Sequence, residues 1–273
     1  MIVPRVLIIA GSDSGGGAGI QADIKTVTML GGHAMTAVTA ITAQNTVGVQ
    51  AVMPVPAEML HEQLWVVVTD LGCDAVKIGM IGSAAGADTV IDFLEQTHGA
   101  PVVFDPVMVA TSGAALADAE TIAGFRRIMG LSRLTTPNMP ELAMLTGLPA
   151  DSEADRLVAA RALAAETRCA VVAKGGHEAG ETIVDLLVDR KGEVHRWEDS
   201  RIETSHTHGT GCTLASAIAT GLGRDLSMVD AVGRAREYVR AALAAAPGYG
   251  KGHGPMGHTL GEVPFELIHS KDK

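Results

Sequence analysis

Val6-Leu7-Ile8-Ile9-Ala10 runs straight into Gly11-Ser12-Asp13-Ser14-Gly15-Gly16-Gly17-Ala18-Gly19. Consecutive apolar residues without alternation suit a strand buried on both faces, and such strands belong to parallel sheets covered by helices. The glycines that follow allow a tight loop at the carboxyl end of the strand, and residues 20–30 read as a helix. A βα unit of this kind places its loop where α/β sheets bind ligands. The class it implies is α/β with a mainly parallel central sheet.

The alternation continues outward from there. Thr36 to Ala43 is rich in β-branched residues and ends at Gln44-Asn45-Thr46, and residues 49–55 make a further short strand. Residues 57–71 carry Leu60, Leu64, Val67, Val68 and Leu71 on one helical face. Strand Ala75 to Ile78 leads to Gly79-Met80, a helix spans 84–96, and strand Val102 to Phe104 leads to Asp105-Pro106-Val107-Met108. After a helix over 115–129, strand Leu134 to Pro137 hands over to Asn138-Met139-Pro140-Glu141, where Asn caps and Pro suits a first turn. Asp151 or Ser152 caps a helix running to residue 166. Cys169 to Lys174 is another buried strand, ending at Gly175-Gly176-His177, and residues 182–189 and 193–197 form a hairpin around Lys191-Gly192. Helices over 210–222 and 227–245 follow, and 247–255 is too glycine-rich to be regular. Without linker or repeat, residues 1–273 read as one domain.

Composition narrows the partners. The formal charge of −10 argues against nucleic acid and anionic membranes, which need clustered Lys and Arg. Aromatics are only 3% of the chain, so the core is built from Ala, Val, Leu, Ile and Met. Cys73, Cys169 and Cys212 have neither disulfide nor zinc spacing, and no apolar run approaches the ~18 residues of a membrane span. The expectation is a cytoplasmic protein with a small-molecule partner.

Thr207-His208-Gly209-Thr210-Gly211-Cys212-Thr213 precedes the Ala-rich run to Leu222. A glycine turn opening a helix offers free N–H groups and a positive dipole end to an anion such as phosphate, and the same helix end should lower the Cys212 thiol pKa. The other polar groups, Asp13, Gln44, Asp105, Asn138 with Glu141, and Lys174, fall at strand ends that share one sheet edge and so converge on one cleft. A lysine, an Asn and Glu suited to hydrated magnesium, and a helix N-terminus are the parts phosphoryl transfer uses. Two other nucleotide sites drop out. Gly17-Ala18-Gly19-Ile20-Gln21-Ala22 matches a loose GxGxxA, but Gln44 stands where a dinucleotide site needs an acid, and no GxxxxGK[ST] occurs. The pairs His206 with His208 and His253 with His258 lie in glycine-rich loops and read as ordinary loop histidines.

Ala10-Gly-Ser-Asp-Ser-Gly-Gly-Gly-Ala-Gly-Ile-Gln-Ala-Asp23, Thr39-Ala-Ile-Thr-Ala-Gln-Asn-Thr46, Lys77-Ile-Gly-Met80, Asp105-Pro-Val-Met108, Thr136-Pro-Asn-x-x-Glu141, Lys174-Gly-Gly-His177 and His208-Gly-Thr-Gly-Cys-Thr213 together resemble the hydroxymethylpyrimidine/phosphomethylpyrimidine kinases of thiamine biosynthesis. The resemblance implies a three-layer α/β/α ribokinase-like kinase domain over the whole chain, ATP and Mg²⁺, a homodimer, and two successive phosphorylations of 4-amino-5-hydroxymethyl-2-methylpyrimidine. Carried over residue by residue, it puts Gly11, Ala18, Gln44, Met80 and Val107 on the pyrimidine and Asp23 near the acceptor. It puts Lys174 and Thr210 on ATP, and Asn138, Glu141 and Asp105 near the metal. Gln44 has the matching chemistry, since its amide complements an exocyclic amine beside a ring nitrogen. Met80 and Val107 read equally as core, Asp23 as a helix-dipole partner, Asp105 as a turn residue and Gln44 as a polar strand cap. Cys212, as thiolate, would take the hydroxyl proton while Gly209 to Gly211 stabilise the transferring group. Pyridoxal kinase and a kinase with only the first activity are the rival readings.

Overall fold

The computed structural model describes residues 3–110, 113, 116–176 and 180–260, so His177, the last residue of the Lys174-Gly-Gly-His motif, lies outside the described residues. The first half contains β1 (Arg5–Asp13), α1 (Gly19–Met29), β2 (His33–Gln44), β3 (Val49–Pro54), α2 (Ala57–Leu71), β4 (Ala75–Ile78), α3 (Ala84–Gln96) and β5 (Val102–Phe104). The second contains α4 (Ala119–Gly130), β6 (Leu134–Thr135), α5 (Met139–Thr146), α6 (Glu153–Thr167), β7 (Ala170–Ala173), β8 (Thr182–Val188), β9 (Val194–Ser200), α7 (Thr210–Leu222) and α8 (Met228–Ala244).

The strands form one sheet in the order β3-β2-β1-β4-β5-β6-β7-β8-β9. Strands β2 through β7 of that order run parallel, while β3 at one edge and the β8–β9 hairpin at the other are antiparallel. Chain order reverses on either side of β1, which makes the β1 tip the switch point where such sheets open a ligand crevice.

The three layers follow from the side-chain alternation of β1. Leu7 and Ile9 pack on one side with α2, α3, α4, α5 and α6, whereas Val6, Ile8 and Ala10 pack on the other with α1, α7 and α8. Every residue from Val6 to Ala10 is buried, as a central strand requires.

Helix starts divide into two kinds. Ser83, Asp118, Asn138, Ser152 and Ser227 cap α3, α4, α5, α6 and α8 with side-chain oxygens, Asn138 in a reciprocal capping box with Glu141. Helices α1, α2 and α7 begin at Ala18, Pro56 and Gly209 with no side-chain cap. Two of those three starts, α1 and α7, face the ligand edge of the sheet.

Several boundaries differ from the sequence expectation. β1 runs on to Asp13 because a register shift between Ala10 and Ser12 lets it keep pairing with β2 past Gly11. β2 starts at His33 because its first residues pair with Arg5 onward, a contact invisible to local periodicity. Helix α4 starts only at Ala119, where Asp118 caps it. The glycine-rich 247–255 segment is irregular as expected. It lies against the tip of β2: Thr46 Oγ1 accepts from the Lys251 and Gly252 N–H groups, and Gly254 accepts from His208 N at 3.2 Å.

Candidate active site

Parallel strands end on the same edge, and the loops after β1, β2, β4, β5, β6 and β7 open there into a cleft of about 820 Å³. Gly11, Ala18, Gln44, Met80 and Val107 line it, as do Asp105, Asn138, Glu141 and Lys174, and the turn from Gly209 through Thr210 and Gly211 to Cys212. The structure therefore brings together every expected site residue except Asp23.

One end of the cleft is organised by Asp13. Its Oδ1 accepts from Gly15 N at 2.8 Å, and its Oδ2 accepts from Gly17 N at 3.0 Å and Ala18 N at 2.8 Å, which wraps the glycine loop around the carboxylate. His208 Nε2 lies 2.9 Å from the same Oδ2. Burial opposes ionisation of Asp13, but the His208 ring and the Ala18 and Gly15 N–H groups outweigh it and hold the carboxyl below its usual range. Gln44 stands beside this group, with one end of its amide 3.3 Å from His208 Nε2 and the other 3.1 Å from Thr42 Oγ1. His208 is thus no ordinary loop histidine. It is 7% exposed and joins the glycine loop, the tip of β2 and the start of α7.

The other end is built around the N-terminus of α7. Gly209 has φ of 88°, and a Cβ there would collide with the Gly17 carbonyl oxygen, so the turn needs glycine on both counts. A Cβ on Gly211 would stand 3.1 Å from Asp105 Oδ2 and 3.3 Å from Lys174 Nζ, which places that charged pair directly against the helix start. Within the turn, Thr210 N donates to Thr207 O at 3.3 Å and Thr213 N to Gly209 O at 2.9 Å. Gly211 and Cys212 follow Thr210 in the first turn, where helix geometry gives N–H groups no intrahelical acceptor.

Lys174 Nζ donates to Asp105 Oδ1 at 3.0 Å, and Thr136 Oγ1 donates to the same oxygen at 2.9 Å. Burial lowers the lysine pKa, but Asp105 and Glu141 raise it more, so Lys174 stays cationic above its ordinary value. Glu141 Oε2 accepts from Asn138 N at 2.8 Å, which shows that the Asn-x-x-Glu element closes a helix as well as facing the cleft. Burial, aided by the nearby Asp105, pushes the Glu141 carboxyl up to about 7 against the pull of Lys174.

Cys212 corrects one expectation. Its thiol is pushed up to about 11 rather than down, because burial penalises the thiolate and the Asp23 and Asp105 carboxylates add repulsion; Lys77 and the Gly19 N–H only partly offset them. The sulfur, at the start of α7, also receives the amide of Gly19, the first residue of α1, so two helix N-termini meet there.

Asp23 corrects another. It lies outside the cleft wall, fully buried, with Oδ2 2.7 Å from Lys77 Nζ and Oδ1 accepting from Ser216 Oγ at 2.7 Å. Burial pushes the Asp23 carboxyl up and opposes charge on Lys77, but the contact decides for an ion pair, and Lys77 is held above its ordinary value. Sequence reasoning gave Lys77 no role. The available signal was a charge inside the otherwise apolar strand Ala75-Val76-Lys77-Ile78, which demands a buried partner.

A nucleotide-sized cleft at a switch point, with uncapped helix N-termini and a lysine but no P-loop, defines a phosphotransferase of the ribokinase-like class. The family model described as phosphomethylpyrimidine kinase matches residues 13–257. A hydroxymethylpyrimidine/phosphomethylpyrimidine kinase of Streptomyces coelicolor is 48% identical over 263 residues, which is 95% of this chain and 96% of that protein. Among solved structures, phosphomethylpyrimidine kinase of Clostridium difficile superposes with a TM-score of 0.78 at 34% identity, covering 89% of this chain and 100% of that one. An ADP complex of Bacillus subtilis pyridoxal kinase superposes with a TM-score of 0.86 at 30% identity, covering 94% and 98%. The chain belongs to the phosphomethylpyrimidine kinase family and is a kinase of ribokinase-like fold.

Proposed function

We propose that the protein transfers a phosphoryl group from ATP to the hydroxyl of 4-amino-5-hydroxymethyl-2-methylpyrimidine, and a second one to the resulting monophosphate, for thiamine biosynthesis. The observation that carries this reading is one cleft lined by the Gln44 amide and by Lys174, Gly211 and Cys212 at the α7 start. The first group reads an aminopyrimidine edge, and the others hold phosphate.

In this reading Gln44 pairs with the exocyclic amine and adjacent ring nitrogen, while Gly11, Ala18, Met80 and Val107 shape the pocket around the ring. Lys174 and Thr210 bind the phosphates of ATP, and the first-turn N–H groups from Gly209 to Gly211 stabilise charge on the transferring group. Among the described residues no three His, Cys, Asp or Glu side chains cluster to hold a metal unaided. Mg²⁺ in such sites needs only one or two protein carboxylates, the rest of its shell being phosphate and water, and Asp105 and Glu141 with Asn138 fit that set. Bound there, it would neutralise the phosphate oxygens.

Cys212 accepts the hydroxyl proton in the first step. With its thiol near 11, only a small thiolate fraction serves at neutral pH, so the first step should accelerate with pH. The second acceptor is already an anion and needs no base. Asp23 acts from beneath through its field on Cys212 rather than by touching substrate.

The chain in this reading works as one kinase domain in the cytoplasm, consistent with three free thiols and with no helix, among the described residues, long and apolar enough to cross a membrane. The edge strand β3 and its neighbour expose Ile41, Val52 and Met53, apolar surface that an unpaired edge would cover in a homodimer; sedimentation velocity reads this directly, and a monomer would refute it.

The deciding experiment is ATP turnover with the hydroxymethylpyrimidine, its monophosphate and pyridoxal side by side, products followed by mass. Turnover of both pyrimidines supports the bifunctional kinase. The free alcohol alone would make it a salvage kinase, and preference for pyridoxal would overturn the reading of Gln44.

A further inference from the structure

Gln44 has a donor end and an acceptor end, and a half-turn of its amide exchanges them without moving any other atom. Which end faces which neighbour is settled by Asp13. Its Oδ2 accepts from the Gly17 and Ala18 N–H groups, so the His208 Nε2 that lies 2.9 Å away must carry a hydrogen. An amide nitrogen placed 3.3 Å from that N–H would set donor against donor. With the amide turned, Oε1 shares the His208 N–H, and the NH₂ group reaches Thr42 Oγ1. The Thr42 hydroxyl is free to accept because its own hydrogen goes to Ser12 O at 2.9 Å. No donor then faces another donor.

We infer that His208 is a positioning residue that fixes the polarity of the Gln44 amide and thereby sets the selectivity of the pocket for an aminopyrimidine over the corresponding pyrimidinone. The inference rests on the reading of Gln44 as the pyrimidine contact. After Oε1 has met His208 and one amide hydrogen has met Thr42, the remaining lone pair and the remaining hydrogen lie on one edge of the amide. That edge accepts from an exocyclic amine and donates to the neighbouring ring nitrogen. A pyrimidinone presents the reverse order, a carbonyl beside a ring N–H, and would need the amide turned back against His208.

His208 is well placed to act as a fixed reference. Its backbone N donates to Gly254 O at 3.2 Å, its ring is packed so closely that a Cβ on Gly17 would stand 2.5 Å from its Cδ2, and it immediately precedes Gly209, the N-cap of α7. The lock is therefore tied to the glycine loop and to the phosphate-binding helix at once.

The test compares kcat/KM for the aminopyrimidine alcohol and its 4-oxo analogue in the wild type, His208→Phe and His208→Gln. A phenylalanine cannot donate, so the amide turns freely, the oxo analogue improves and the selectivity ratio falls about tenfold or more, the worth of one mismatched polar contact. Gln, whose amide nitrogen reaches as far as imidazole Nε2, restores the ratio. A purely structural defect would lower both substrates together and leave the ratio unchanged, which would overturn the inference. Gln44→Leu separates the two failures. If it leaves KM for the aminopyrimidine alone, the contact itself is wrong and the lock falls with it; if it raises KM while His208→Phe keeps the ratio, only the lock is wrong. Should His208→Phe fail to fold, side-chain amide NMR of the intact wild-type protein decides. Nuclear Overhauser contacts from the Gln44 NH₂ to Thr42 support the assignment, and contacts to the His208 ring overturn it.

Discussion

Two lysine–aspartate pairs border Cys212, and they differ in exposure more than in chemistry. Lys77 and Asp23 touch at 2.7 Å with both side chains 0% exposed, under the floor of the cleft. Lys174 and Asp105 touch at 3.0 Å with side-chain exposures of 16% and 2%, on its wall. A sealed pair can exchange its partner for nothing, so its worth is that neither charge is left alone. An open pair can give up one contact to an incoming phosphate or metal. The same residue types thus lie sealed beneath the cleft in one place and face into it in the other.

The largest effect should come from breaking the sealed pair. Lys77→Met strands the Asp23 carboxylate and should cost about 3–5 kcal/mol, lowering the melting temperature by roughly 10 °C. Adding Asp23→Leu should recover much of that loss, and thermal unfolding of the two variants checks both statements. Lys174→Met should do the opposite, with kcat reduced by about 10²–10³-fold and a melting shift smaller than that of Lys77→Met, because Asp105 keeps the Thr136 hydroxyl as a donor and the lost lysine was partly exposed in the cleft. Equal losses of stability in the two would erase the distinction.

Cys212, which feels both pairs, sharpens it further. Cys212→Ala should slow the first phosphorylation by about 10²-fold and leave the second within about twofold, measured by product mass with each substrate. Equal rates on both would remove the thiol from the reaction. The smallest effect belongs to Glu141, whose folded pKa of about 7 lies above the ordinary carboxyl value of 4.5. Because the neutral form is favoured by folding, its contribution to stability is full below the unfolded value and is lost as pH rises through about 7. Glu141→Gln should flatten the fall in melting temperature across that window, and an unchanged slope would assign the dependence elsewhere.

Much of the architecture was legible along the chain. The helices over 57–71, 84–96 and 210–222 and the strands over 75–78 and 102–104 have the bounds their periodicity implies. The Asn138 cap was readable for the same reason, since capping is a contact between neighbours in sequence. Gln44 and Lys174 were placed at one cleft because parallel strands share an edge. His208, by contrast, looked like any histidine in a glycine-rich turn, because its partner Asp13 is 195 residues away.

What the sequence by itself determined is everything carried by local period and turn chemistry: the βα alternation, the parallel sheet, the glycine turn that opens a helix at Gly209 to Cys212 and the resemblance of its motifs. Only the tertiary structure decided the electrical state of the site. A helix N-terminus alone would lower the Cys212 thiol, yet burial and two carboxylates from α1 and the end of β5 raise it to about 11. Asp23, expected near the acceptor, is sealed against Lys77 instead. Desolvation and charge pairing depend on which distant segments close over a group, and no stretch of chain carries that information alone.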